Sequence, residues 1–258
     1  HSEDGSPEAV RAQFPDVGLL ELERNEGATG ASNAGFAYAL AHGAEYVFRL
    51  DSDTVVDSSA LHYLVEAAME SRDIGVLTAK IYFYDNPTLI WFGGASSHRW
   101  HFGAYNTRRY EYDSPGNSVP CDVDYAWSTG MLISRTVLEV VGGFDPDFLV
   151  YYEEVDFCLR VKRAGFRIRY IPEARIWHKV GSDINSPWVA EQWNRSKMLL
   201  FRKHSRGLHR WSLIAYAFGY ALWRALRPIP GRGNRGPLRA TLRGLIGGMC
   251  CPLSVQRL

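Results

Sequence analysis

The apolar run Glu45-Tyr-Val-Phe-Arg-Leu50 ends in two aspartates one residue apart, Asp51 and Asp53. Its β-branched and aromatic residues and its alternation predict a strand. That strand delivers both carboxylates at its carboxyl end. In open α/β sheets this edge is where ligands bind. Aspartates at i and i+2 can reach one hard cation together, and a divalent ion held there can bridge phosphate oxygens. Asp-Ser-Asp is also ordinary turn chemistry, so the pair alone leaves a metal site and a solvated turn both open.

The flanking segments set the fold class. Ser6-Pro7 reads as the cap and first residue of a short helix to about Phe14. Val17–Leu22 reads as a strand. Asn25-Glu-Gly-Ala-Thr-Gly-Ala-Ser-Asn33-Ala-Gly35 is a glycine-rich turn entering a helix that ends near Gly43. Asp57 and Ser58 cap a helix to about Ser71, and Ile74–Phe83 is a strand. This alternation predicts an α/β fold with a mainly parallel sheet and helices on both faces. From Tyr84 to Tyr125 the period is lost and aromatics, Gly and Arg dominate, the pattern of hairpins and long loops that shape a substrate site. Then come a strand at Met131–Ser134, a helix at Arg135–Val141 stopped by Gly142-Gly143, and a helix from about Glu153 to Ala164 with Gly165 at its cap. Strands follow at Arg167–Ile171 and Arg175–His178. Helices near 187–204, 211–226 and 237–247 close the chain, the last two separated by Pro228-Ile-Pro-Gly-Arg-Gly233.

Charge divides the chain. From Gln192 to Leu258 there are 13 Lys/Arg and no Asp or Glu, whereas residues 1–191 hold 16 basic and 28 acidic side chains. The division predicts a catalytic domain over 1–186 and a basic, amphipathic helical region over 187–258. Such a tail suits nucleic acid or an anionic membrane surface. Its aromatics cluster in Trp211–Trp223 rather than alternating with the arginines, which argues against a stacking surface for nucleic acid. That apolar run has 13 residues, short of the roughly 20 that span a bilayer. Cys121, Cys158, Cys250 and Cys251 have no zinc spacing and suit a reducing compartment. A cytoplasmic protein, peripheral at the inner face of the cell membrane, is expected. No signal peptide is visible, but the chain opens on His1 in turn-like sequence, and a preceding segment is expected.

Two further groups carry chemistry. Glu153, Glu154 and Asp156 lie in the first turn of one helix. Acids there gain about 0.3–1 kcal/mol each from the helix dipole, and a carboxylate in that place can equally serve as a general base facing a cleft. Adjacent helical residues point about 100° apart, so only one of Glu153 and Glu154 faces a given substrate. His178 ends a strand on the same sheet edge as Asp51 and Asp53 and can complete an O,O,N metal set.

Taken in order, Asn25-x-Gly, Asn33-x-Gly, Leu-Asp51-Ser-Asp53, Thr129-Gly130, Gly143-Phe-Asp145, Tyr-Glu-Glu154-Val-Asp, Arg160, Ala-Gly165, Pro172 and Ala-Arg-Ile-Trp-His178 resemble family 2 glycosyltransferases, nearest the rhamnosyltransferase-like branch of polysaccharide and cell-envelope enzymes. The resemblance covers roughly residues 1–205. It implies a GT-A fold and an inverting transfer from a nucleotide-diphosphate sugar to a glycan or lipid-linked acceptor. It implies Mg²⁺ or Mn²⁺ at Asp53, Asp51 and His178, and Glu154 as base with Glu153 as its alternative. Asn25, Gly27, Asn33, Asp51 and Asp53 would bind the donor. Trp127, Thr129, Gly130, Glu153 and Asp156 would line the acceptor side. Two departures stand out. The base is Glu where the family has Asp, and the family's first two strands, which contact the nucleoside, have no counterpart before His1. A degenerate transferase serving as a scaffold is the non-enzymatic alternative. A haloacid-dehalogenase-type phosphatase, which Asp51-x-Asp53 also matches, lacks its downstream acidic motif here. A nucleotidyltransferase shares a similar sheet, but its distinguishing loop would fall at the first strand, which has no counterpart here.

Overall fold

The computed structural model describes residues 2, 4–97, 100, 102, 104–106, 108–179, 186–226 and 238–253. Helices α1 (Ser6–Gln13) and α2 (Gly27–Ala41) precede strands β1 (Tyr46–Leu50) and β2 (Thr54–Val56). Helix α3 (Ala60–Met69) and strand β3 (Ile74–Phe83) follow, then β4 (Asn86–Phe92), β5 (Ala95–Ser97), β6 (Ala104–Asn106) and β7 (Cys121–Val123). Strand β8 (Gly130–Ser134), helices α4 (Arg135–Val141) and α5 (Glu153–Arg163) and strand β9 (Arg167–His178) complete the sheet and its cover. The tail supplies α6 (Pro187–His204), α7 (Gly207–Leu226) and α8 (Leu238–Cys250). The expected break at Pro228–Gly233 lies outside the described residues.

The sheet runs β1-β8-β3-β9-β2, with β4 added to β3 and β7 to β9. Only β3 and β9 pair in parallel, from Ile74↔Arg167 to Phe83↔His178; the other pairings are antiparallel. The sheet is therefore mixed rather than mainly parallel. The added strands β2, β4 and β7 run antiparallel to their neighbours, and β8, returning from the long insertion, slots between β1 and β3 with reversed direction, a placement that helix–strand alternation cannot reveal. Because β8 is antiparallel to both neighbours, β1, β3 and β9 share one direction. The carboxyl ends of β1 and β9, which lead to Asp51 and His178, thus open on one edge.

Two further expectations change. Val17–Leu22 is irregular and exposed, not a strand. Its apolar residues meet no partner strand, and a strand without a ladder does not form. The two strands expected around Pro172 are one, β9, whose register against β3 jumps from Ala79↔Ile171 to Lys80↔Arg175. The irregularity holds Pro172, which cannot donate to a ladder.

β3 is buried from Ile74 to Tyr82 and forms the centre of the core, which α3 covers with Leu64, Ala67 and Ala68. Packing crosses the 186/187 position without interruption. Leu199 and Leu200 of α6 belong to the main core, while Met198 and Phe201 join Leu213, Ala217, Ala221 and Leu245 in a second one. α8 approaches α6 closely at two glycines. A Cβ on Gly244 would stand 2.2 Å from the Glu191 carbonyl oxygen, and one on Gly248 2.5 Å from that of Arg195.

Candidate active site

The end of β1 and the return of β2 place three potential ligands together. β2 pairs antiparallel with β9, and Thr54 lies opposite His178, so the residue before it, Asp53, reaches the imidazole. His178 Nε2 is 3.2 Å from Asp53 Oδ1. One ligand atom each from Asp51, Asp53 and His178 lie within 4.8 Å of one another. Asp53 is half exposed, whereas His178 is largely covered, its ring edge-on to Trp91 at 4.6 Å. Asp51 is held on both oxygens: Thr129 Oγ1 donates to Oδ2 at 2.6 Å and Arg49 Nη1 donates to Oδ1. Thr129 can do so because Gly130 pairs with Leu50 at the end of the β1–β8 ladder.

The second part of the site is the start of α5. Tyr151 and Tyr152 both take left-handed backbone angles, φ 64° and 65°, just before Glu153. Non-glycine residues in that region are strained unless their surroundings hold them. Trp193 of α6 does so, its ring 5.3 Å from Tyr151 and 5.0 Å from Tyr152. The resulting turn buries Glu153 and Glu154. Burial raises the pKa of both carboxyls above the usual carboxylate range, and the neighbouring Glu153 charge raises Glu154 further. The Arg49 and Asp51 charges reach both glutamates with opposite sign, so the acid pair and the Asp51 end of the metal set share one electrostatic field. Glu153 Oε2 is buried with no hydrogen-bond partner.

The remaining expected residues divide between site and scaffold. Trp127 stacks obliquely on Trp91 at 4.4 Å and belongs to the wall beside His178. Asp156 points elsewhere. Arg160 Nε donates to it at 2.8 Å, and His204 Nε2 lies 2.7 Å away. Burial pushes the Asp156 carboxyl up, but those hydrogen bonds and charges hold it below its ordinary value. Asn33 is bidentate to the Phe144 backbone, accepting from N and donating to O at 2.8 Å each, which ties α2 to the loop before α5. Asn25 accepts from Gly27 N at 2.9 Å, an Asx turn that opens α2. Gly27 has φ +69°, and a Cβ there would meet Leu149 Cδ1 at 2.5 Å. Gly130 is a packing glycine, its Cβ position 2.4 Å from Ile176 Cδ1.

Sequence reasoning missed Arg49, Trp91 and Arg109. Arg49 breaks the apolar run one residue before its end, and an arginine inside a strand next to an acid pair was the available signal. Trp91 and Arg109 carry no local signal, since both depend on how the 84–125 insertion folds back.

Residues 46–242 match the family described as glycosyl transferase family group 2. The chain belongs to this family. Among its relatives, the dTDP-rhamnosyl transferase RfbF of Shigella flexneri is 25% identical over 75% of this chain and 66% of its own length. The N-acetylglucosaminyl-diphospho-decaprenol L-rhamnosyltransferase of Mycobacterium tuberculosis is 27% identical over 94% of this chain and 77% of its own. Among solved structures, GalNAc-T7 with UDP, GalNAc and Mn²⁺ superposes with a TM-score of 0.60 at 14% identity, covering 92% of this chain and 45% of that one. At that identity the likeness concerns the fold, which is GT-A. The mixed sheet with one open carboxyl edge thus has the fold of known glycosyltransferases.

Proposed function

We propose that this family 2 glycosyltransferase moves a sugar, with inversion, from a nucleotide-diphosphate donor to a hydroxyl of a lipid-linked glycan. The names of its relatives make dTDP-rhamnose the first donor to test and an N-acetylglucosaminyl-diphospho-lipid the first acceptor. The observation that carries the proposal is the convergence, on one sheet edge, of an O,O,N ligand set and a buried acid pair.

The donor set fits a divalent cation. Three ligand atoms within 4.8 Å of one another, two of them carboxylate oxygens, suit a hard ion, and the imidazole favours Mn²⁺ over Mg²⁺. Asp53 and His178 would hold it, and Asp51, already oriented by Thr129 and Arg49, would complete the set. A divalent ion held there would supply positive charge to a departing diphosphate. Glu154 without its proton accepts the proton of the acceptor hydroxyl as that oxygen attacks the anomeric carbon. Glu153 beside it raises its basicity. An inverting transfer needs one base and no protein nucleophile. That suits Asp51, whose oxygens already accept from Thr129 and Arg49 and which is therefore badly placed for phosphatase chemistry.

We also propose that α7 rests on the inner membrane surface, close to the lipid carrying the acceptor. Among the described residues no helix is long and apolar enough to cross a membrane. α7 buries Leu213, Ala217 and Ala221 against α6 and α8 but turns Trp211, Tyr216, Tyr220, Leu222 and Trp223 outward. Aromatic side chains on such a face seat at the headgroup level.

Transfer assays of the full chain with Mn²⁺, dTDP-rhamnose and the diphospho-lipid acceptor should give product with inverted anomeric configuration. Absence of both transfer and donor hydrolysis across a panel of nucleotide sugars would refute the reading.

A further inference from the structure

Arg109 lies in the 84–125 insertion, between β6 and β7. Its guanidinium carbon stands 5.6 Å from the Trp91 ring centroid and 5.0 Å from that of Tyr110. Trp91 meets His178 on one side and Trp127 on another. Only one ring therefore separates Arg109 from the metal ligands. Several arginines near the sheet and its site have carboxylates: Arg49 has Asp51, Arg160 has Asp156, and Arg167 and Arg169 have Asp122, while Arg108 donates to the Gly93 carbonyl. Arg109 has none within salt-bridge distance among the described residues, and its Nε is buried with no hydrogen-bond acceptor. A cation that has lost part of its hydration and gained no counter-charge is costly unless a ligand supplies one.

The geometry says what that ligand is. A guanidinium stacked on aromatic rings uses its faces and leaves its N–H edge free. That planar fork matches two oxygens of a phosphate group. The site also has a link to each half of the proposed chemistry, to His178 through Trp91 and to Glu154 through Tyr125. The Tyr125 hydroxyl, whose pKa burial raises, feels the Glu154 charge in one direction and the Arg109 charge in the other. Arg109 and Glu154 thus both lie close enough to Tyr125 for their charges to reach it.

We propose that Arg109, stacked on Trp91, binds a diphosphate group entering beside the metal set. The group is carried by the nucleotide donor or by a diphosphate-linked acceptor. Assigning it to a substrate rests on the transferase reading above, whereas the anion site itself does not.

Trp91 beneath the guanidinium makes tryptophan fluorescence a direct reporter. The full chain is titrated with inorganic diphosphate in EDTA, so that no metal bridges the anion. Wild type should show saturable binding. Arg109→Gln should weaken it about tenfold or more, the loss of one charge-assisted fork at about 1.4 kcal/mol per decade. Arg109→Lys, which keeps charge but not the fork, should fall between. Arg163→Gln, which removes an exposed charge at the far end of α5, should bind as wild type. Thermal melts confirm that each variant folds. No saturable binding by wild type, or equal binding by wild type and Arg109→Gln, overturns the proposal. In the transfer assay a raised donor KM for Arg109→Gln assigns the site to the donor diphosphate, and a raised acceptor KM assigns it to the acceptor. No change in either removes the substrate assignment. Diphosphate binding through Arg109 without any sugar transfer would sink the transferase reading and leave the anion site standing; transfer with binding insensitive to Arg109 does the reverse.

Discussion

Replacing Glu154 by Gln should stop turnover and stabilise the protein, and the two effects should share one pH dependence. Glu153 and Glu154 are 5% and 8% exposed, and no cation lies within salt-bridge distance of either among the described residues. Arg49 is the nearest positive influence, and its Nη1 is already bonded to Asp51. Burial therefore dominates, and it raises both carboxyls, Glu154 most because the Glu153 charge adds to it. A base must be deprotonated, so wild-type kcat should climb with pH through a range above the ordinary glutamate value of about 4.3. Glu154→Gln keeps the shape and removes the proton acceptor. Turnover should fall by about 10²–10⁴-fold, which is about 2.7–5.4 kcal/mol of barrier, with donor affinity largely kept.

Stability moves the other way. A carboxyl whose folded pKa lies above its unfolded one contributes stability that is full below the unfolded pKa and is lost as pH rises through the folded pKa. Wild type carries that loss and the Gln variant does not. The Tm of Glu154→Gln relative to wild type should therefore grow as pH is raised from about 5 to about 9. Steady-state kinetics and thermal melts over that range test both halves. A wild-type profile already flat at the acid end, together with a Tm difference independent of pH, would refute the account of the pair. If Glu153→Gln is dead and Glu154→Gln turns over normally, the base is the neighbour.

Asp53→Asn and His178→Ala should each weaken Mn²⁺ binding in the presence of nucleoside diphosphate by at least about tenfold, measured by calorimetry, with His178→Ala affecting Mg²⁺ less. Gly248→Ala should cost about 1–3 kcal/mol in urea unfolding, since its Cβ meets backbone at 2.5 Å; Gly247→Ala, with nothing within 4 Å, should be neutral or slightly stabilising. Replacing Trp211, Tyr220 and Trp223 together by Ser should reduce co-sedimentation with anionic vesicles. Equal pelleting of wild type and this variant would remove α7 from the membrane surface.

The elements that could be read from sequence were those whose cause is local. Ile74–Phe83, Arg135–Val141 and Pro187–His204 carry their own period, cap or stop, and they form over those bounds. The grouping of Asp51, Asp53 and His178 was readable because the aspartates follow one recognisable strand and His178 ends another. What escaped has a non-local cause. The direction of β8 depends on a strand inserted after an excursion of more than forty residues. Val17–Leu22 has a strand's composition but no neighbour to pair with. Asn33, Gly27 and Asp156, expected on the donor and acceptor sides, also fix one backbone segment or side chain against another, a role that only the fold shows. Arg109 gained its place from the return of the insertion over Trp91.

The charge division of the sequence also has a partly internal explanation. Read as composition, the basic tail pointed outward, to an anionic surface. In the folded chain several of its cations face inward, onto the acidic body around α5. Lys203 Nζ pairs with Asp145 and lies 2.6 Å from Asp147. His204 reaches Asp156, and Arg195 donates to the Asp147 carbonyl. The neighbouring Ser196 donates to Val150 O, one residue before the strained Tyr151–Tyr152 turn, and Trp193 packs on that turn itself. α6 therefore holds the segment that presents Glu153 and Glu154. Its basic residues support the Glu153–Glu154 segment from behind, while the exposed aromatics of α7 form the face proposed above to meet a membrane. A cut at 186/187 would then remove the support of the base together with the proposed lipid contact, and truncation alone would not separate the two roles. Substituting Trp211, Tyr220 and Trp223 while keeping Tyr216, whose charge reaches Tyr152 beside the acid pair, is the better separation.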